Sequence, residues 1–168
     1  MGGTESRARG FTLIEMLVVV VVVGVLAGVV VVGFVGADKE QELKTEARRI
    51  ALLIELARDE ALQRNEEWGV YVEPERYGFA IYDDVRGRWT EHEGGRFRER
   101  QIDNMTLQIK ADKLVIPGQV AGQSIPQIII FSSGEQTPFE IVLEPAWETR
   151  AWLIESDGVS RTAIERRE

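Results

Sequence analysis

The sequence predicts an α+β protein: one long N-terminal α-helix, transmembrane in its first half, followed by antiparallel sheets stacked beside its second half. Three observations carry this. Met16 to Ala37 is a run of 22 residues without a charge. Leu43, Ala47, Ile50, Ile54, Ala57 and Ala61 then step by four, three, four, three and four, which is helical spacing. Beyond Trp68 come short alternating or β-branched segments divided by turn residues, and local turns between such segments favour antiparallel pairing.

The amino end, "MGGTESRARG", is short and polar and places Arg7 and Arg9 just before the apolar run. Basic flanks stay on the cytoplasmic side, which sends the carboxyl end across. At ~1.5 Å per residue the run makes a helix of roughly 33 Å, enough for a hydrocarbon core of about 30 Å. Its valines, Val18 to Val23 and Val29 to Val32, suit a strand in water. In lipid only a helix satisfies its own backbone, so helix wins. Gly24 and Gly28 make a G-x-x-x-G spacing, which fits both close helix approach and ordinary membrane glycine. The run is longer than the apolar core of a secretory signal, and no A-x-A-like site follows it. Glu15 stands near its head. A carboxylate at the centre of a membrane helix costs about 2.5–3.5 kcal/mol and calls for a partner. Taken alone, the run equally fits a plain signal anchor with Glu15 snorkelling to the interface.

From Asp38 the pattern turns amphipathic. Lys44, Glu46, Arg48, Arg49, Asp59 and Glu60 mostly avoid the apolar stripe, and Leu53 and Leu56 widen it. The stripe is expected to pack on the chain's own sheets, and the helix to end between Arg64 and Glu67. "WGVYVE" and "YGFAIYD" flank "PER" as a hairpin. "DDVRGR" turns into "WTEHE", and "MTLQIKADKLVIP" holds one or two strands. "QIIIF" reads as a buried strand. "SSGEQTP" turns into "FEIVLE", where Phe139, Ile141 and Leu143 face one way. "ETRAWLIES" and "VSRTAIE" form a last hairpin about the turn dipeptide Asp157-Gly158. The loop from Pro117 to Pro126 is expected to be mobile and to order only on docking to a partner.

Composition sets further bounds. About 130 residues follow Ala37, enough for one core unaided. No cysteine is present, so neither a disulfide nor a thiolate metal site is available. The formal charge is -8, which disfavours broad nucleic-acid binding. His92 is the single histidine and reads as surface, with no Ser/His/Asp set around it. Asp83 and Asp84 lack the further oxygen ligands of a calcium loop and read as a solvated turn. No catalytic residue, metal site or cofactor is expected. Trp68, Trp89, Trp147 and Trp152 read as core or interface anchors, at least one of them at a contact with another subunit.

"RGFTLIEMLVVV" resembles the processing site of type IV pilins and type II secretion pseudopilins. Further on, Ala57-Arg58-Asp59-Glu60-Ala61 and the segment Phe131 to Gly134 resemble the GspH branch, the minor pseudopilins of type II secretion. The resemblance covers most of the chain. It implies a pilin-like fold, a long helix packed on a β-sandwich of two antiparallel sheets. It also implies a leader at 1–10, a transmembrane helix at 11–37, a periplasmic amphipathic helix at 38–66 and a periplasmic β domain at 67–168. A prepilin peptidase would cut between Gly10 and Phe11 and Phe11 would be N-methylated. Glu15, then the fifth mature residue, would pair with the Phe11 amine of a neighbour during assembly. The implied location is the bacterial inner membrane, single-pass, with the carboxyl-terminal domain in the periplasm. Implied partners are other minor pseudopilins, the major pseudopilin, the peptidase and inner-membrane lipid. The function implied is to help initiate or cap the pseudopilus that exports folded proteins. The alternative is a minor pilin of the related FimT branch, binding DNA in natural transformation. That reading needs a basic sheet face, whereas the chain without its leader is formally about -9.

Overall fold

The computed structural model describes residues 12–111, 126–147 and 150–167, with side chains of residues 27–38 outside the description. The chain divides into two compact units, Met1–Gln41 and Glu42–Glu168. One helix, α1, spans Leu13–Arg64. In the first unit the described side chains from Leu13 to Leu26 include Leu, Ile, Met and Val residues that are 47% to 89% exposed. Among the described residues no helical stretch is long and apolar enough to cross a membrane, and part of the 11–37 run lies outside them.

The second unit holds the part of α1 from Glu42 and two antiparallel sheets. The first sheet runs β3 (Arg88–Glu91), β2 (Arg76–Asp83), β1 (Trp68–Glu73) and β6 (Ile128–Ile130). The two-residue β4 (Arg100–Gln101) also pairs with β2. It shares the β2 edge with β3, so β3 and β4 form one strand line interrupted by residues 92–99. The second sheet runs β5 (Met105–Ala111), β7 (Phe139–Pro145), β8 (Ala151–Ser156) and β9 (Ala163–Arg167). The predicted α+β class, with a helix packed on antiparallel sheets, is what the molecule shows.

Period decides each contribution to the core. On α1, Leu43, Ala47, Ile50, Ile54, Ala57 and Ala61 are all buried, the stripe expected from their spacing. On the strands every second residue turns inward. Trp68, Val70 and Val72, then Tyr77 and Phe79, face the same cluster as Leu107, Phe139, Ile141, Leu143 and Ile154. All three residues of β6 are buried, as a continuous apolar strand should be. Tyr77 is buried, and its hydroxyl donates to Glu46 Oε1 at 2.8 Å. Burial, then the Glu46 charge and this bond, push its phenol well above the ordinary range.

The ends are closed locally. Asn65 has φ 53 and the Glu66 N–H donates to the Ala61 carbonyl, a left-handed cap that stops α1 three residues before β1. Glu73 pairs with Arg76 across a two-residue turn at Pro74-Glu75. Asp83 accepts the Val85 and Arg86 N–H groups and pairs with the Arg86 guanidinium, so its carboxylate builds a turn. The two sheets are joined where Leu107 N–H donates to the Pro74 carbonyl at 2.8 Å.

Three expectations need correction or placement. His92 is half-buried rather than a plain surface residue. Its N–H pairs with the Phe79 carbonyl, so the register points its ring inward, stacked 5.5 Å from Trp68 and edge-on to Phe97 at 5.6 Å. The Asp157-Gly158 dipeptide is not a two-residue turn. Pairing resumes only at Glu155 and Ala163, leaving a longer loop. The Pro117–Pro126 loop lies outside the described residues except Pro126, which is buried against Gly69.

Candidate functional site

Gly10 and Phe11 lie outside the described residues. Thr12 and Glu15 open α1. Glu15 N–H donates to the Thr12 carbonyl at 3.1 Å and to Thr12 Oγ1 at 3.3 Å, and Met16 N–H donates to the same carbonyl. Thr12 is therefore the N-cap, satisfying donors that a helix start leaves open. The sequence Thr12-Leu13-Ile14-Glu15 has the T-x-x-E pattern of a capping box, a local signal of the helix start. A carboxylate in this turn also faces the positive end of the helix dipole. Among the described residues the Glu15 carboxylate has no hydrogen-bond or ion-pair partner. Around it Leu13, Ile14, Met16 and Leu17 are 53% to 89% exposed.

In the second unit the two distant motif segments meet. Arg58, from the helix motif, points its guanidinium at the loops rather than at a carboxylate. Its Nε donates to the Gly134 carbonyl, Nη2 to the Val159 carbonyl at 2.6 Å and Nη1 to the Ser160 carbonyl at 3.0 Å. One turn earlier, Glu55 Oε1 accepts both the N–H and the hydroxyl of Thr162, each at 2.8 Å. Gly134 sits at φ +85 and Gly158 at φ +93, where a side chain is strained. A Cβ on Gly158 would also lie 2.4 Å from the Gln136 carbonyl. Asp157 accepts the N–H groups of Ser160 and Val159, which hold its carboxyl below the usual carboxylate range. That contribution is present above the ordinary carboxylate range and is lost as pH falls through the lowered value. The β8–β9 loop is thus held both by its own Asp157 and Ser156 bonds and by Arg58 and Glu55 of α1.

This corner gives a direct expectation. Arg58→Ala removes three charge-assisted bonds to backbone carbonyls of two separate loops. Net bonds from a charged donor are worth about 1.5–3 kcal/mol, and the corner is partly wet, so a loss of about 2 kcal/mol is expected. For a chain of this length that lowers Tm by ~4–8 °C. Near-UV circular dichroism of the full chain in detergent measures it, and Arg58→Lys should recover only part, because an ammonium cannot fork to three acceptors.

The tryptophans divide. Trp68 is core. Trp147 and Trp152 pack against the core while partly exposed, with Lys44 over the Trp152 ring at 5.6 Å. Trp89 lies on the outer face of the first sheet, 5.3 Å from Tyr82 and close over Gly69. Among the described residues no group of three or more His, Asp or Glu is placed to hold a metal.

Comparison with known proteins adds the following. The family described as Type II transport protein GspH matches residues 46–160, and the prokaryotic N-terminal methylation motif matches residues 6–31. Type II secretion system protein H of Pseudomonas aeruginosa is 37% identical over 165 residues, covering 94% of this chain and 96% of the relative. The protein of the same name from Klebsiella pneumoniae is 28% identical, covering 83% and 88%. Among solved structures, the minor pseudopilin EpsH from the type 2 secretion system of Vibrio cholerae aligns with TM-score 0.59 and 19% identity. It covers 73% of this chain and 95% of its own. The solution structure of Escherichia coli GspH gives 0.55 and 16%, covering 71% and 84%. At such identity these two speak for the fold alone.

Proposed function

The chain belongs to the GspH family of type II secretion minor pseudopilins, and from that premise we propose how its parts carry the work. Residues 1–10 are a leader removed between Gly10 and Phe11. Residues 11–37 anchor the chain in the inner membrane, residues 38–66 continue the helix into the periplasm, and 67–168 form the periplasmic β domain. Cutting before Phe11 creates an amine, charged at neutral pH, which is then methylated. Glu15 of an incoming subunit meets the amine of Phe11 on its neighbour. Each charge is costly alone in a low dielectric, and pairing lowers that cost. Glu15 thus sets register during assembly and performs no chemistry.

The observation that carries this reading is the unpartnered Glu15 carboxylate in the capped first turn of a helix whose apolar side chains are exposed. The β domain joins other minor pseudopilins and the major one, helping to initiate or cap the periplasmic fibre that pushes folded proteins outward. Cells lacking the chain should retain the exported proteins in the periplasm, and the full-length chain supplied in trans should restore export. Crosslinking in membranes should join the β domain to other pseudopilins. Normal export without the chain contradicts the reading.

A further inference from the structure

The outer face of the first sheet carries a groove of about 300 Å³ that the assembly reading does not use. Gly78 on β2 forms its floor: with no side chain there, the Tyr71 ring on one side and the Glu99 backbone on the other stand apart, each 3.4–3.7 Å from where a Cβ would lie. Glu91, Glu93 and Glu99 line it, against a single cation, Arg98. Arg76 reaches Glu99 at 3.5 Å and lies within electrostatic reach of Glu91, while Glu93 has no ion-pair or hydrogen-bond partner among the described residues. We propose that this groove receives an arginine side chain presented by another protein chain, its guanidinium lying on the Tyr71 ring and bonded to Glu91 and Glu99.

Three features choose the occupant. The excess of carboxylate over cation sets its sign. The flat wall of Tyr71 favours a planar cation, which stacks on an aromatic face while its edge donates to carboxylates. A guanidinium offers five donors in a fixed fork, matching two acid groups that stand together on the strand line across the floor from Tyr71. An ammonium would satisfy the charge and forfeit the stacking. Burial of Tyr71, then the charges of Glu91 and Glu99, push its phenol up to about 12, in keeping with negative potential converging on that wall. The inference rests on the β domain alone and stands whether or not Glu15 sets register.

The test is nuclear magnetic resonance of the full chain in detergent micelles, titrated with blocked Ala-Arg-Ala. The lysine analogue and the citrulline analogue, which keeps the shape and loses the charge, serve as comparisons. Saturable shifts at Gly78 and Tyr71 in the millimolar range are expected with arginine, at least threefold weaker with lysine and none with citrulline. Glu91→Gln with Glu99→Gln should weaken arginine binding at least tenfold. Tyr71→Leu, which keeps both acids, should remove the preference over lysine, and Glu140→Gln on the other sheet should change nothing. Equal response to citrulline, equal affinity for lysine, no localised shift, or full binding by the Gln variant overturns the proposal.

Discussion

Glu15→Ala is expected to leave cleavage, insertion and folding intact while lowering entry into the fibre more than a hundredfold. The residue lies outside the core that holds the second unit together, so folding has no stake in it. Its N–H, not its carboxylate, makes the capping bond to Thr12, and alanine keeps that N–H. What alanine removes is the acid. A neighbour's amine then enters the membrane helix bundle unpaired, and breaking a buried pair costs about 3–5 kcal/mol. At ~1.4 kcal/mol per tenfold, that exceeds a hundredfold. Crosslinking to the other pseudopilins in membranes, with export assayed alongside, measures the effect. Thr12→Ala is a useful contrast: it loosens the cap, worth about 1 kcal/mol, and leaves the acid in place. Its assembly defect should be milder than that of Glu15→Ala. If Glu15→Ala assembles as well as wild type, the register role is wrong and sheet-domain contacts hold the subunit.

Trp68→Ala should cost about 3–5 kcal/mol of folding stability, against the 5–15 kcal/mol that typical domains possess. Trp68 is 1% exposed and opens β1. Phe97 meets its ring at 4.8 Å and His92 stacks on it at 5.5 Å, so alanine leaves a cavity that two other side chains border. The effect should appear as a lower denaturation midpoint with an unchanged slope, read by far-UV circular dichroism. Leu52→Ala, at a position 60% exposed on α1, should stay within ~0.5 kcal/mol. A Trp68 change that costs less than ~1 kcal/mol would place the centre of the core elsewhere.

Much of the architecture was legible because period is legible. The α1 stripe and the inward set Phe139, Ile141 and Leu143 follow from spacing alone, since spacing fixes which face meets the core. Long-range partners do not show in spacing. Asp157-Gly158 looked like a tight hairpin because the dipeptide is local, while Arg58 and Glu55, about a hundred residues away, draw that loop onto α1. His92 looked solvated among charged neighbours. Only the pairing of its N–H with Phe79 shows that its register faces inward. The amino-terminal motif was legible for a different reason: it is one contiguous segment, and its Thr-x-x-Glu cap is local too. The groove beside Tyr71 could not be read in advance, because Gly78, Glu91 and Glu99 meet only through strand pairing.

The most direct test of the account is the intact mass of the chain extracted from membranes of cells that contain the prepilin peptidase. A mass equal to residues 11–168 plus one methyl group is expected, with the methyl placed on Phe11 by fragmentation. An uncut chain, or a mature chain beginning at any other residue, contradicts processing between Gly10 and Phe11 and removes the amine with which Glu15 is proposed to pair.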